Sequence, residues 1–352
     1  MNSIIEKIVK QSTSWLNNYS NSDDIVLSTR VRLARNINNA KFPISARKES
    51  LLNIISLVDS AAKDTELITN STLIRINALT DLEKNILLEQ RLLSRELLNK
   101  ANTAGLVVSD NDISIMINEE DHLRIQIISS GFKVEDLWKD ISKFESKLST
   151  IIPFAFDPKL GYLTSCPTNV GTGLRASVLL HLPALTLTQN INPIINALQV
   201  LKISVRGIFG EGSQNTGNLF QISNQSTLGE SENTIISNFI HLIKLLIQVE
   251  LGEREKLINS NSNFLLNNIG RAYGTLKYSY SISTKEALNS LSMIRLGINI
   301  GVIKSIDIDK LNYLFILVQP AHLQEKVKQI LTSDQRDIIR AELLRAEFNQ
   351  TI

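Results

Sequence analysis

Polar and apolar residues alternate through IVLSTRVRLAR, residues 25–35, which predicts a strand. Ser28, Arg30 and Arg32 then share one face, and Thr29, Val31 and Leu33 share the other. ISIMINEEDHLRIQIIS, residues 113–129, reads as two strands joined by an acidic turn. VLKISVRGIF and NLFQISNQ are further strand candidates. A helical period predicts helices over 47–62, 79–101 and 134–149. LRASVLLHL, from Leu174, predicts a helix that Pro183 ends. At the start of the chain, Ile4, Ile5, Ile8 and Val9 have the spacing of a short amphipathic docking helix.

The pattern changes after about residue 231. Residues 231–252, 254–268, 284–298, 307–317, 320–331 and 333–348 all read as helices with short connections. Strands and helices in the first part follow no regular βαβ order. The predicted class is therefore α+β, with an antiparallel sheet flanked by helices and an all-helical C-terminal domain. The expected boundary divides 1–231 from 232–352, in the glycine-containing SNQSTLGESE stretch.

Composition narrows the function. The net charge of +2 gives no bulk attraction to nucleic acid or to an anionic membrane, so any functional positive charge must be local. The single cysteine, Cys166, excludes an internal disulfide and fits a cytoplasmic setting. The four histidines show no metal-ligand spacing. FIHLIKLLIQVEL is interrupted by His241, Lys244 and Glu250, so no membrane span is predicted.

Four stretches carry candidate chemistry. In STRVR, two guanidinium groups fixed on one strand face suit phosphate oxygens, although a solvated strand face shows the same alternation. In NEEDHLR, Glu120, His122 and Arg124 share parity if the strand continues, so a carboxylate and an arginine would project together. The alternative there is a solvated hairpin tip. In CPTNVGTGLR, Gly171 and Gly173 allow close backbone approach, and Arg175 falls in the first turn of the predicted helix. A cation is disfavoured at that end of a helix, so a bound anion would account for it. Cys166 reads either as a thiolate beside arginines or as a small packing residue. In RGIFGEGSQNTGNLFQISNQ, Arg206 ends a strand and Glu211 lies in a glycine-rich loop, either a mobile surface loop or a lid over a substrate. The chain has no Walker-type phosphate loop and no His-Arg-Asp or Asp-Phe-Gly set.

Taken together and in order, STRVRLAR, NEEDHLR, CPTNVGTGLR and the RG–GEGSQ–QISNQ region resemble the ATP:guanido phosphotransferase family, and within it the bacterial protein-arginine kinases. The resemblance implies that Glu120 and Glu211 orient and activate a substrate guanidinium, with Cys166 beside it. It implies that Arg30, Arg32, Arg124, Arg175 and Arg206 cradle the phosphates of Mg-ATP, with Ser28 assisting and the magnesium carried by the nucleotide. Thr29, Val31, Ala176, Ser177, Val178 and Leu179 belong to the same nucleotide-binding segments. The family carries a histidine in the segment that reads EQRLLS here, so Arg91 stands in its place, and Gln214 stands where a glutamate is common.

RDIIRA, residues 336–341, matches a motif that forms a phosphoarginine-binding allosteric pocket in the protein-arginine kinases. It contributes Arg336, Asp337, Arg340 and Ala341, with Asp337 and Arg340 three apart on one helix face; the plain alternative is a surface ion pair. Only 27 residues precede Ser28, so the N-terminal helical domain of the small-molecule kinases has no counterpart and the site is expected to be open to protein substrates. The resemblance also implies an activator protein, a Clp-type protease, a heat-shock repressor and a homodimer. LNYLFILVQ offers apolar helix surface for such a partner. A kinase for free arginine or another small guanidino compound shares every catalytic residue, and a non-catalytic phosphoarginine-binding adaptor is the third reading.

Overall fold

The computed structural model describes residue 8 and residues 24–68, 70–110, 112–207 and 216–349. Of the expected N-terminal docking helix, only Ile8 falls among them, helical and buried. Eight strands form one sheet: β1 (Val26–Arg35), β2 (Thr72–Arg75), β3 (Gly105–Val108), β4 (Ile113–Ile117), β5 (Leu123–Ser130), β8 (Leu174–His181), β9 (Ile203–Gly207) and β10 (Leu219–Asn224). Their order is β2-β3-β4-β5-β1-β8-β10-β9. A small separate hairpin pairs β6 (Phe156–Asp157) with β7 (Gly161–Tyr162). The pairs β1–β5, β2–β3, β3–β4 and β4–β5 are antiparallel.

By internal packing the chain divides into two compact units. One holds Ser28–Val178 with Ser223–His241, and the other holds Asn2–Leu27, Leu179–Ile222 and Leu242–Ile352. In the first unit, register decides which side chains meet. Arg32 lies opposite Gln126 and Ala34 opposite Arg124, so Arg30, Arg32 and Arg124 emerge on one face, as the alternation predicts. The other face carries Val31 and Leu33 with Ile125 and Ile127 into the core. There, helix α4 (Val134–Ser149) buries Ile141, Phe144 and Leu148 and supplies Glu145, which accepts a 2.8 Å hydrogen bond from the buried guanidinium of Arg35.

Two sequence expectations are corrected here. LRASVLLHL is strand β8, and Pro183 opens a short helix, α5 (Pro183–Leu187), instead of ending one. All but one of the residues of β8 are buried, so it lacks the alternation of a half-exposed strand and its apolar run imitates a core helix. Residues 79–101 are not one helix. They form α2 (Asp81–Glu89) and α3 (Arg95–Leu98), separated at Arg91, whose φ of 63° leaves the right-handed helical region. Ser94 caps α3 by accepting from the Leu97 N–H. Helices α1 (Lys48–Asp64) and α4 match expectation.

The second unit is built mainly from helices: α6 (Ile191–Val200), the C-terminal part of α7 (Glu232–Ser260), α8 (Ser262–Tyr278), α9 (Thr284–Asn299), α10 (Ile308–Leu317), α11 (Pro320–Val327) and α12 (Ser333–Asn349). The break expected near residue 253 falls at Asn261, because Gly252 is accommodated inside α7. Ala184, Leu257, Leu265, Ile269 and Leu296 pack together in this unit's core. LNYLFILVQ turns this apolar surface inward: Leu311, Leu314, Phe315, Ile316 and Leu317 are buried, which corrects its reading as a partner surface. Among the described residues one helix, α7, is long and apolar enough to cross a membrane by length and composition, with a third of that window buried. Within it the carboxylate of Glu250 accepts from the Ala184 and Leu185 N–H groups, at 3.1 Å each, and from Arg254 at 2.8 Å.

Candidate active site

The face shared by β1 and β5 gathers cations. Burial, and after it the charges of Arg124 and Arg175, push the pKa of the Arg30 guanidinium down to about 9. Burial and the same neighbours, with Arg30, lower Arg32 as well, and Arg91 is lowered by burial and by Arg30. Five guanidinium groups are thus held where each disfavours the charge of another, the field an anion relieves. Ser28 Oγ and Arg32 Nε are buried and meet no hydrogen-bond partner among the described residues, so this pocket retains unspent donors suited to phosphate oxygens.

Arg175 reaches the cluster from strand β8. The helix N-terminus invoked to explain it is absent, and Ser223 on β10 positions it instead, with Ser223 Oγ accepting from Nε and Nη2 at 3.2 Å each. Arg91 is fixed through its backbone, since Gln126 Nε2 donates to its carbonyl at 3.0 Å. The nearby strands are locked by backbone and amide contacts. Ala176 N–H donates to Asn224 Oδ1 at 2.8 Å, and Ser177 Oγ donates to the Arg30 carbonyl at 3.3 Å. Val31, Val178 and Leu179 are core residues. Thr29 lies on the opposite face from Arg30, its hydroxyl donating to the Gly131 carbonyl at 2.6 Å.

The glycines of the GTG turn serve the chain itself. Gly171 has φ 111°, and a Cβ there would stand 2.1 Å from the Thr227 carbonyl oxygen. Gly173 has φ 59°, and a Cβ there would stand 2.6 Å from the Ala34 oxygen. The Ala34 N–H donates to the Gly173 carbonyl at 2.9 Å, so this close approach joins β1 to the start of β8.

The acidic turn binds both ends of the site together. Glu119, which sequence parity passed over, is the buried partner of Arg124, and it also accepts from Ser94. Lys100 Nζ donates to the Glu119 carbonyl. Glu120 is exposed, with Cys166 close enough to favour its ionised form. Burial and the flanking Asp121 and Glu119 raise the Glu120 carboxyl above the ordinary carboxylate range, against the opposing pull of Arg124 and Cys166. Strand β5 begins at Leu123, so the parity argument does not extend back to Glu120 and His122. His122 is buried, with Nδ1 accepting from the Ile37 N–H at 3.1 Å, and it serves the structure of the turn.

Asp121 ties this turn to the cysteine loop. Its Oδ1 accepts from the Ser165 N–H and from Asn36 Nδ2, each at 2.6 Å, and Ser165 Oγ donates to the Glu120 carbonyl at 2.8 Å. Cys166 Sγ lies 2.9 Å from Thr168 Oγ1. Its hydrogen-bonding neighbour is therefore a hydroxyl, not one of the arginines expected from sequence. Among the described residues no cluster of His, Cys, Asp and Glu could hold a metal ion.

Other predicted positions belong to the second unit or lie outside the described residues. Arg206 is exposed on β9 of the second unit, and Glu211 and Gln214 fall outside the described residues. In the second unit, Asp337 and Arg340 do pair, at 2.5 Å on α12. The pair is not a surface one. Arg340 is fully buried, with Nε donating to the Val318 carbonyl and Nη1 to the Ile282 carbonyl, at 2.8 Å each. Arg336 donates to the Leu331 carbonyl at 3.0 Å, and Ala341 is buried.

A cluster of arginines in the same unit as an exposed carboxyl and a thiol suits a class that handles phosphates next to a cationic acceptor. Residues 53–252 match the ATP:guanido phosphotransferase C-terminal catalytic domain, and residues 262–351 match the C-terminal domain of the protein-arginine kinase McsB. The chain belongs to the ATP:guanido phosphotransferase family, in its protein-arginine kinase branch. It is 41% identical over 349 residues to a protein-arginine kinase of Halothermothrix orenii, covering 99% of each chain. It is 42% identical over 340 residues to one of Bacillus subtilis, covering 96% of this chain and 93% of that one. Among solved structures, lombricine kinase is similar with a TM-score of 0.56 at 24% identity, covering 67% of this chain and 68% of that one. The duplicated taurocyamine kinase of Schistosoma mansoni gives 0.60 at 22% identity, covering 77% and 40%. These two support the fold.

Proposed function

We propose that the protein transfers the γ-phosphoryl group of ATP to arginine side chains of other proteins. The carrying observation is that one turn meets both clusters: Glu119 holds Arg124 of the cation cluster, while the carbonyl of the next residue, Glu120, accepts from Ser165 in the cysteine loop. A guanidinium is delocalised and protonated, and so a poor nucleophile. Glu120 grips its N–H groups, aligns it and receives the proton it loses on attack. Glu211 acts as the second carboxylate in this reading, and Cys166 adds negative potential beside the guanidinium. Arg30, Arg32, Arg124 and Arg175, with Arg91 and Arg206, hold the nucleotide phosphates and take up the charge that spreads over the equatorial oxygens in the transition state. Magnesium enters on the nucleotide phosphates, where it adds charge neutralisation.

In the same reading residues 1–231 are the catalytic domain and residues 232–352 the helical C-terminal domain. Asp337 and Arg340 are the core of an allosteric phosphoarginine pocket, with Arg336 and Ala341 beside them. Family resemblance extends the proposal to a cytoplasmic homodimer that works with an activator protein, marks substrates for Clp-type proteolysis and modulates a heat-shock repressor. Leu245 and Val249, exposed one turn apart on α7, suit a contact between subunits.

The test is incubation with Mg-ATP and either a loosely folded protein or free arginine, with Glu120→Ala as control. The expected result is side-chain phosphoarginine by mass spectrometry under non-acidic handling, absent in the variant. Turnover of free arginine alone makes the protein a metabolite kinase. Transfer to neither, with a partner added, leaves a phosphoarginine-binding adaptor.

A further inference from the structure

Helix α9 carries side chains committed to three separate segments of the second unit. Asn289 Oδ1 accepts from the Gly217 N–H at 2.8 Å, and Ser292 Oγ accepts from Asn218 Nδ2 at 2.8 Å. Ser292 is buried and also meets His181 Nε2 at 2.8 Å. Near its C-terminus, Arg295 and Asn299 both donate to the Asp24 carbonyl at 2.9 Å, two residues before β1. Ahead of its N-terminus, both backbone groups of Ile282 are held by α12: its N–H donates to the Asp337 carbonyl at 3.1 Å, and its carbonyl accepts from Arg340.

The segment that Asn289 and Ser292 hold is a left-handed turn. Gly217 and Asn218 have φ of 68° and 53°, two left-handed residues in succession. Gly217 also packs closely on α9, since a Cβ there would stand 3.2 Å from the Leu288 carbonyl oxygen. Glycine and asparagine adopt this region readily, so the hydrogen bonds from α9 fix where the turn sits. In the sequence it follows the glycine-rich GEGSQ stretch and leads into β10, whose Ser223 positions Arg175.

We infer that Asn289 and Ser292 are positioning residues for phosphoryl transfer, and that α9 links the turn they hold to the Asp337–Arg340 clasp. The helix begins at Thr284, two residues after Ile282, and Asn289 is five residues further along it, about 8 Å of rigid backbone at 1.5 Å per residue. A ligand that displaces Arg340 from the Ile282 carbonyl shifts the root of α9, and the Gly217–Asn218 turn registers the shift. The positioning role rests on the kinase reading, and the link rests on the reading of Asp337 and Arg340 as a phosphoarginine pocket.

Asn289 is exposed, so Asn289→Ala spares the core, and Asn289→Asp keeps the accepting oxygen. Asn289→Ala is expected to speed amide exchange at Gly217 and to lower kcat about fivefold, the effect of losing one neutral hydrogen bond, with KM for ATP unchanged. Asn289→Asp is expected to restore both. Unchanged exchange, or an aspartate variant no better than alanine, overturns the positioning role. Exchange that responds in a protein with no transferase activity instead overturns the kinase reading. For the link, free phosphoarginine is titrated by calorimetry and its effect on Gly217 exchange is followed. Binding that alters exchange in the unmodified protein but not in Asp337→Ala supports the link. Binding without any change in exchange overturns the link, and no binding at all overturns the pocket on which it rests.

Discussion

Glu119 is buried in an ion pair with Arg124, while the carbonyl of the next residue, Glu120, accepts a hydrogen bond from Ser165 in the cysteine loop. One peptide unit therefore separates a carboxylate committed to the cation cluster from one left exposed beside the cysteine loop. Asn118 makes this possible. Its φ of 60° re-aims the chain, and its side chain is held by the Leu51 and Thr103 carbonyls at 2.8 and 2.9 Å.

The two carboxylates should fail differently. Glu120→Gln is expected to lower kcat by about 10²–10⁴, the range for loss of a positioned acid–base group, with ATP affinity retained. Glu119→Gln should weaken ATP binding through a misplaced Arg124. Steady-state kinetics combined with nucleotide titration separates the two.

With Glu120 as the base of the proposed transfer, its raised pKa sets the acid limb of activity. A base must be ionised to accept the guanidinium proton, so kcat/KM should rise with pH through a midpoint above the ordinary carboxylate range. The same shift makes Glu120 a small liability to folding. The folded chain holds a proton the unfolded chain has lost, so this group's contribution to stability falls as pH rises through that window. A pH–rate profile that loses its acid limb in Glu120→Gln assigns the titration.

Arg30 should matter to activity and cost the free protein stability. Its guanidinium is pushed down to about 9, so above that pH the folded chain has released a proton that the unfolded chain keeps. Its contribution to stability therefore rises with pH beyond 9, and at neutral pH the charged form is a net cost. Arg30→Ala is expected to lower kcat/KM by on the order of 10³. Without nucleotide, its thermal midpoint should not fall below that of the unmodified protein.

Gly173→Ala should be destabilising by more than about 1 kcal/mol, because the new methyl meets the Ala34 oxygen at a left-handed φ. Urea unfolding measures it. Gly270→Ala is the contrast: a Cβ there meets nothing within 4 Å, and the glycine is inside α8. That change should stabilise by about 0.5–1 kcal/mol.

Legibility in the sequence followed exposure. Strands β1, β4 and β5 were readable because charged residues mark their open face or the turn between them. Strand β8 was not, because burial on both faces erases the period of two. The anion side of the site was legible because arginine alternation is a local pattern, although the structural support for Arg175 was misread. The different settings of Glu119 and Glu120 were not legible, since they depend on Asn118 and on contacts with Ser94 and Ser165, distant in sequence. The same holds for Arg340, whose partners at Val318 and Ile282 come from other helices.

The crowding of Arg30, Arg32, Arg91, Arg124 and Arg175 has a consequence for the protein's survival. Relief of that repulsion by a polyanion is free energy available only to the folded chain, so ATP acts as a folding ligand as well as a reactant. At a nucleotide concentration 100 times its Kd, such linkage adds about 2.7 kcal/mol to stability. Depletion of ATP would thus withdraw substrate and structural support together, and the enzyme would become more easily unfolded and degraded when its phosphoryl donor runs short.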